Sequence, residues 1–255
     1  MINIDPLSAV SLLLEVRLND RILGTATGFI VQNNGQNFLI TNWHVVSGRN
    51  TDTGECLSSA GDIPNAIVIV HHLKDKLGNW VLVKYPLYNN EKPNWILHPK
   101  HTEENRIDVI ALPIGNTLAE IAIYPLDLSL ADTDMLASPA LSVSIIGFPF
   151  GMASDGAFPI WKTGHIASDP DLNYKGLPVF LIDATTRSGM SGAPVILKTN
   201  TYIPKSGGFV VRTGYLTLFL GVYSGRIRKD IEIGRVWKPQ IIKELLQQSN
   251  ALSNS

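Results

Sequence analysis

The segment TTRSGMSGAPVI (185–196) sets Ser191 between Gly189 and Gly192, with Pro194 close behind, just ahead of an apolar β-branched run. Small residues around a serine let the backbone turn tightly and let a second molecule approach the hydroxyl. A serine hydroxyl is a weak nucleophile at neutral pH. It needs a neighbouring base to take its proton, and that base needs a third group to fix its tautomer. If the chain supplies both, Ser191 can attack a carbonyl carbon; if it does not, the stretch is a tight turn.

Six histidines could supply the base. His71 and His72 are neighbours on an expected strand and so point to opposite faces, which prevents easy sharing of a metal. No Cys or carboxylate sits at ligand spacing from them, and no metal or cofactor motif is found elsewhere. His98 and His101 flank Pro99 in a loop and read as solvated surface residues. His165 follows Thr163-Gly164 and reads as structural. His44 is the remaining candidate. In FLITNWHVV (38–46) it ends an expected strand beside a short polar loop, a place from which it could face a cleft or simply be a half-buried strand histidine. For the acid, ENRIDVIALPI puts Asp108 directly before an apolar strand. A carboxylate there is costly to bury without a partner, which fits either an orienting acid or a strand-capping Asp held by backbone N–H groups.

These residues sit on a chain of 255 residues, long enough for a large domain or two smaller ones. Short apolar β-branched runs dominate, separated by Gly, Pro, Asn and Asp: 11–18, 26–32, 36–42, 66–72, 80–85, 95–99, 109–114, 141–149, 178–184, 193–198, 208–225 and 234–237. That pattern predicts an antiparallel sandwich or barrel. NNGQN (33–37) predicts a hairpin turn, since Asn-Gly tolerates the positive φ required. KPQIIKELLQQ (238–248) has helical spacing and predicts one C-terminal helix, followed by a frayed tail at 249–255. The acidic, small-residue segment 119–138 reads as a linker between two β domains or as a surface loop.

Net charge is −1, so nothing favours nucleic acid or an anionic membrane as a partner. The single cysteine, Cys56, leaves no intramolecular disulfide. The first twenty residues carry no basic segment and only a short apolar run, so no signal or transit peptide is read there, and the expected location is cytoplasmic.

In order, TNWHVV, IDVIAL and SGMSGAPV resemble the histidine, aspartate and serine motifs of the trypsin-like serine protease superfamily. The order His, Asp, Ser is that of the chymotrypsin branch. TGFIV (27–31) resembles the strand before the histidine. IIGFPFG (145–151), KTGHIAS (162–168) and DATTRSGMSG (183–192) are similar to segments of bacterial high-temperature-requirement-type proteases, and FLGVYSG (219–225) to the strand lining the substrate cleft. The resemblance spans about residues 8–248.

It implies an all-β fold of two six-stranded antiparallel Greek-key barrels, with a terminal helix and the active site between the barrels. Residues 1–125 would form the barrel carrying His44 and Asp108, and residues 126–248 the barrel carrying Ser191. The implied activity is that of a serine endopeptidase acting on polypeptides, with an oxyanion hole from the N–H groups of Gly189 and Ser191. By family spacing, Thr185 would lie at the base of the substrate pocket, and Ser224, Gly225 and Arg226 along its wall. An uncharged Thr185 argues against a Lys or Arg preference and for a small, apolar or polar uncharged residue; Arg226 or Arg228 could instead attract an acidic one.

The chain also departs from the pattern. Met190 stands where digestive members have an aspartate that pairs with a freed N-terminus, so that route of activation is not expected. Ala193 replaces a common glycine, and no PDZ-like segment follows residue 248. Two other readings compete. One is a protease-like fold serving as a peptide-binding or regulatory module. The other is an esterase-like hydrolase, which is disfavoured because its G-x-S-x-G elbow leads into a helix.

Overall fold

The computed structural model describes residues 4–115, 119–228 and 230–253. The first half contributes β1 (Ser11–Leu18), β2 (Arg21–Asn33), β3 (Gln36–Thr41), a short helix α1 (Trp43–Ser47), β4 (Ala66–Leu73), β5 (Lys76–Pro86), β6 (Tyr88–Asn89), β7 (Lys92–Pro93), β8 (Ile96–Leu97), β9 (Ile110–Pro113) and β10 (Ile121–Ala122). The second half contributes β11 (Ser142–Gly147), β12 (Ile160–Ile166), β13 (Val179–Asp183), β14 (Pro194–Tyr202), β15 (Val210–Arg226), β16 (Ile233–Trp237) and the helix α2 (Gln240–Ser253).

The second half closes into the expected six-stranded antiparallel barrel, β11-β12-β13-β16-β15-β14. The first half is an antiparallel sheet of eight strands rather than six, in the order β10-β4-β1-β2-β3-β9-β8, with β5 also paired to β4. The extra strands are edge additions: β8 and β10 each pair over two residues, and β5 extends the hairpin from β4.

The near-continuous apolar runs have a simple cause, which is that the central strands are buried on both faces. Along β2, Phe29 enters the seam between the two halves and Ile30 the interior of the first. β3 repeats this with Phe38 and Leu39, and β9 with Ala111 and Leu112. In the second half Ile196 and Phe219 join the seam, while Val195 and Leu220 fill the barrel. Phe29 and Phe219 meet edge-to-face across the seam at 5.8 Å. Ile241, Ile242, Leu245 and Leu246 of α2 pack into the same seam. The helix therefore continues past residue 248 into the expected tail; residues 254 and 255 lie outside the described residues.

β2 and β3 are joined by Asn34 (φ 49°) and Gly35 (φ 76°), the paired left-handed residues of a tight hairpin turn. In the segment 119–138, β10 still pairs with β4, and Leu126 N–H donates to Ile30 O in the first half, whereas Met135 bridges to Pro204 in the second. Among the described residues no helix is long and apolar enough to cross a membrane.

Candidate active site

His44 does not end a strand. β3 stops at Thr41, and His44 sits in the first turn of α1, which ends at Gly48 in the left-handed conformation (φ 65°). Asn42 occupies the cap position but does not cap; its Nδ2 donates instead to the Asp108 carbonyl (2.7 Å). Asp108 precedes β9 between Ile107 and Val109, both anchored in the seam, and is itself only 1% exposed. Among the described residues its carboxylate is held by His44 at two points: Oδ1 accepts from the His44 backbone N–H (2.9 Å), and Oδ2 lies 2.8 Å from the ring Nδ1. The opposite ring nitrogen, Nε2, lies 3.0 Å from Ser191 Oγ. A carboxylate beside Nδ1 keeps the ring proton on that nitrogen, leaving the Nε2 lone pair toward the serine.

Ser191 enters from the turn 188–193. Gly189 (φ 92°) and Gly192 (φ 87°) have backbone conformations that L side chains rarely adopt, and a Cβ on either would collide with backbone carbonyl oxygen. The carbonyls of this turn are tied down. Thr27 Oγ1 donates to Gly189 O (2.8 Å), Thr27 N–H donates to Ser191 O (2.8 Å), and Phe150 N–H donates to Ser188 O (2.6 Å). In a trans peptide the N–H points away from its own carbonyl, so pinning Ser188 O turns the Gly189 N–H the other way. Neither the Gly189 nor the Ser191 N–H has an acceptor among the described residues. The pair is thus available for an oxygen atom brought against Ser191.

A cleft of about 530 Å³ opens at this point, lined by His44, Ser188, Gly189 and Ser191 and by first-half residues including Ile22, Gly24, Val45, Leu57 and Pro64.

The expected pocket residues lie on the other side of the nucleophile. Thr185 is exposed and is not the base of a pocket; its neighbour Thr186 is 1% exposed and carries the inward-facing hydroxyl, bonded to that of Tyr223. Ser224 is buried and accepts from Trp237 Nε1 (3.2 Å). Gly225 has φ 96°, and Arg226 pairs with Glu232 at 3.4 Å. Burial raises the Tyr223 phenol above its ordinary pKa, so it stays neutral.

Among the described residues no other histidine bonds Ser191 or the Asp108 carboxylate, although His101 lies just behind them, with Nδ1 3.1 Å from Ile107 O. His71 and His72 are both buried, facing Tyr85 and Phe158 respectively. His98 and His101 are not solvated as expected. α2 covers His98, whose Nε2 lies 2.8 Å from Glu244 Oε2, and His101 packs on Trp43 with ring centroids 5.2 Å apart. His165 is exposed on β12. Among the described residues no three His, Cys, Asp or Glu side chains are grouped to hold a metal ion. Thr27, Asn42, Thr186 and Tyr223 went unnoticed in the sequence. Each falls within a motif (TGFIV, TNWHVV, DATTRSGMSG and FLGVYSG), but their roles depend on contacts far along the chain.

Two packed β units with a Ser, a His and an Asp meeting at their junction define the architecture of the chymotrypsin-like proteases. The trypsin-like peptidase domain model matches residues 26–203, and the chain belongs to that family. The fold is shared with the thermostable serine protease AL20 from an extremophilic microorganism (12% identity, TM-score 0.54, covering 96% of this chain and 99% of that one). It is shared also with the serine endoprotease of Yersinia pestis (13%, 0.53, covering 97% and 67%) and the protease Anisep of Arthrobacter nicotinovorans (15%, 0.53, covering 95% and 96%). No curated protein matches the chain significantly by sequence.

Proposed function

We propose that this chain is a serine endopeptidase that cleaves polypeptides through an acyl-enzyme intermediate. One observation carries the reading: a single imidazole spans a buried carboxylate at 2.8 Å and a serine hydroxyl at 3.0 Å. Ser191 Oγ attacks the scissile carbonyl carbon as its proton passes to His44 Nε2. The electron pair displaced onto the carbonyl oxygen is met by the N–H groups of Gly189 and Ser191. His44 then gives its proton to the leaving amine as the C–N bond breaks. Water, deprotonated by the same nitrogen, releases the acid and restores the serine. Asp108 holds the imidazole in place and stabilises its charged form.

Met190 supports a site assembled without an N-terminal ion pair. Its side chain is fully buried in the second barrel, an apolar residue at the position where an ion pair would otherwise hold the turn. The test is hydrolysis of unfolded casein by the wild type and by Ser191→Ala. Release of peptides by the wild type alone supports the reading, and equal release by both variants overturns it.

A further inference from the structure

Two segments of the second barrel flank Ser191. One is the loop 184–190 that leads into it. The other is the end of β15, tied to the nucleophile's own turn by hydrogen bonds from Gly192 N–H to Tyr223 O and from Tyr223 N–H to Ala193 O, each 2.9 Å. β16 lies behind them, with Val236 paired to Tyr223 and Gly234 to Arg226. A peptide carbonyl seated against Ser191 has His44 and the first half of the molecule on one side. The side chain next to that carbonyl can only turn the other way, into the space between these three walls.

We propose that Tyr223 fills this space and restricts the residue on the acyl side of the scissile bond to glycine, alanine or serine. This rests on the protease reading given above. Tyr223 is 2% exposed, and its hydroxyl crosses the space to bond that of Thr186 on the opposite wall. Its ring lies directly over Gly234, where an added Cβ would come within 2.5 Å of Cε2 and 3.3 Å of Cζ and the hydroxyl oxygen. Gly234 has no positive φ to explain it, so its missing side chain is the room the ring takes.

The mouth of the space is braced rather than open. Glu232 accepts from Arg187 of the loop (3.3 Å) and from Arg226 of β15 (3.4 Å), joining the two walls. The interior therefore offers two neutral hydroxyls already bonded to each other, and the charges at the rim are paired. A lysine or arginine would have to compete with Arg187 and Arg226 for the Glu232 carboxylate, a glutamate would meet that carboxylate's charge, and a leucine or phenylalanine finds no volume. Admitting either would swing the tyrosine into water and leave the Thr186 hydroxyl buried and unbonded.

The experiment uses fluorogenic peptide amides that differ only in the acyl-side residue, namely Ala, Leu or Phe. They are assayed on the full chain as wild type, Tyr223→Val and Tyr223→Phe, with active sites counted by fluorophosphonate titration. The wild type is expected to prefer Ala by at least about tenfold in kcat/KM, the scale on which pocket volume discriminates apolar side chains. Tyr223→Val should raise the Leu or Phe rate per active site by about tenfold or more, and Tyr223→Phe, which keeps the ring, should keep the wild-type order. Leu or Phe cleaved by the wild type as fast as Ala overturns the proposal, as does an unchanged order in Tyr223→Val. If Tyr223→Val yields no titratable sites, the order in the wild type decides alone. A wild type that titrates but shows the wrong order refutes the filled pocket and spares the triad; one that neither titrates nor cleaves refutes both.

Discussion

Asp108 grips His44 twice, accepting from the backbone N–H at 2.9 Å through Oδ1 and meeting the ring Nδ1 at 2.8 Å through Oδ2. One carboxylate therefore fixes both where α1 begins and which way the imidazole points. Both contacts need an acceptor. In Asp108→Asn one of the two oxygens becomes an NH₂ group, so either the amide or the ring loses its partner, and the ring can take the wrong tautomer. The expected result is a fall of about 10⁴-fold in kcat at neutral pH. Steady-state kinetics on a peptide amide checks this; a loss below tenfold would mean that the ring is positioned by something else.

Gly189→Ala addresses the oxyanion donors. Gly189 has φ 92°, and a Cβ there would run into Phe148 O. Relief of that clash must rotate the Ser188–Gly189 peptide and carry its N–H away from Ser191. The loss of one such donor costs about 10²–10³ in kcat. KM should change far less, because the interaction develops chiefly in the transition state. Measurement of kcat and KM separately checks the division.

Thr27→Val keeps the side-chain shape and removes a hydroxyl that bonds two buried backbone groups, donating to Gly189 O (2.8 Å) and accepting from Phe148 N–H (3.1 Å). Leaving both unpaired should destabilise the fold by about 2–4 kcal/mol. Urea denaturation should show a lower midpoint at unchanged m. Activity should fall too, since the freed carbonyl belongs to the turn that presents the nucleophile.

The buried His pair on β4 sets an acid limit on stability. Burial, with His72 alongside, lowers the His71 pKa to about 4, and burial lowers that of His72 as well. A histidine held neutral in the fold but free to protonate near 6.5 when unfolded makes the unfolded chain bind more protons between those values. Stability is therefore full above pH 6.5 and is lost as pH falls toward 4, by about 1.4 kcal/mol per pH unit for His71. Between pH 7 and 4.5 the wild type should lose about 2–3 kcal/mol more than His71→Leu, as read by denaturant titration at each pH. Equal losses would contradict the assignment.

Much of this site was legible in the sequence because its chemistry is local to three short motifs. The Ser191 turn needs glycine on both flanks, and Asp108 needs a reason to stand beside VIAL. What escaped were features decided by tertiary contact. FLITNWHVV reads as one strand by composition, yet Asn42 and His44 are both drawn to Asp108, 64 residues from His44 along the chain, and the backbone turns into a helix there. His98 looked solvated because the sequence gives no sign that Glu244 of α2 lies over it. Thr185 and Thr186 are alike in sequence, and it is a tertiary contact, the bond to the Tyr223 phenol, that distinguishes the inward-facing one. The run 95–99 carries β8, whereas β10 is two residues long, too short to show a period, and the expectation of six strands rests on the family resemblance rather than on the runs themselves.

The central claim is that Ser191 is activated by His44. Covalent labelling by a fluorophosphonate probe tests it most directly, with the wild type, Ser191→Ala and His44→Ala compared at equal folded concentration. The account predicts rapid labelling of the wild type, none of Ser191→Ala, and at most a trace of His44→Ala. A folded wild type that takes no label, or a His44→Ala protein that labels as fast as the wild type, would contradict it.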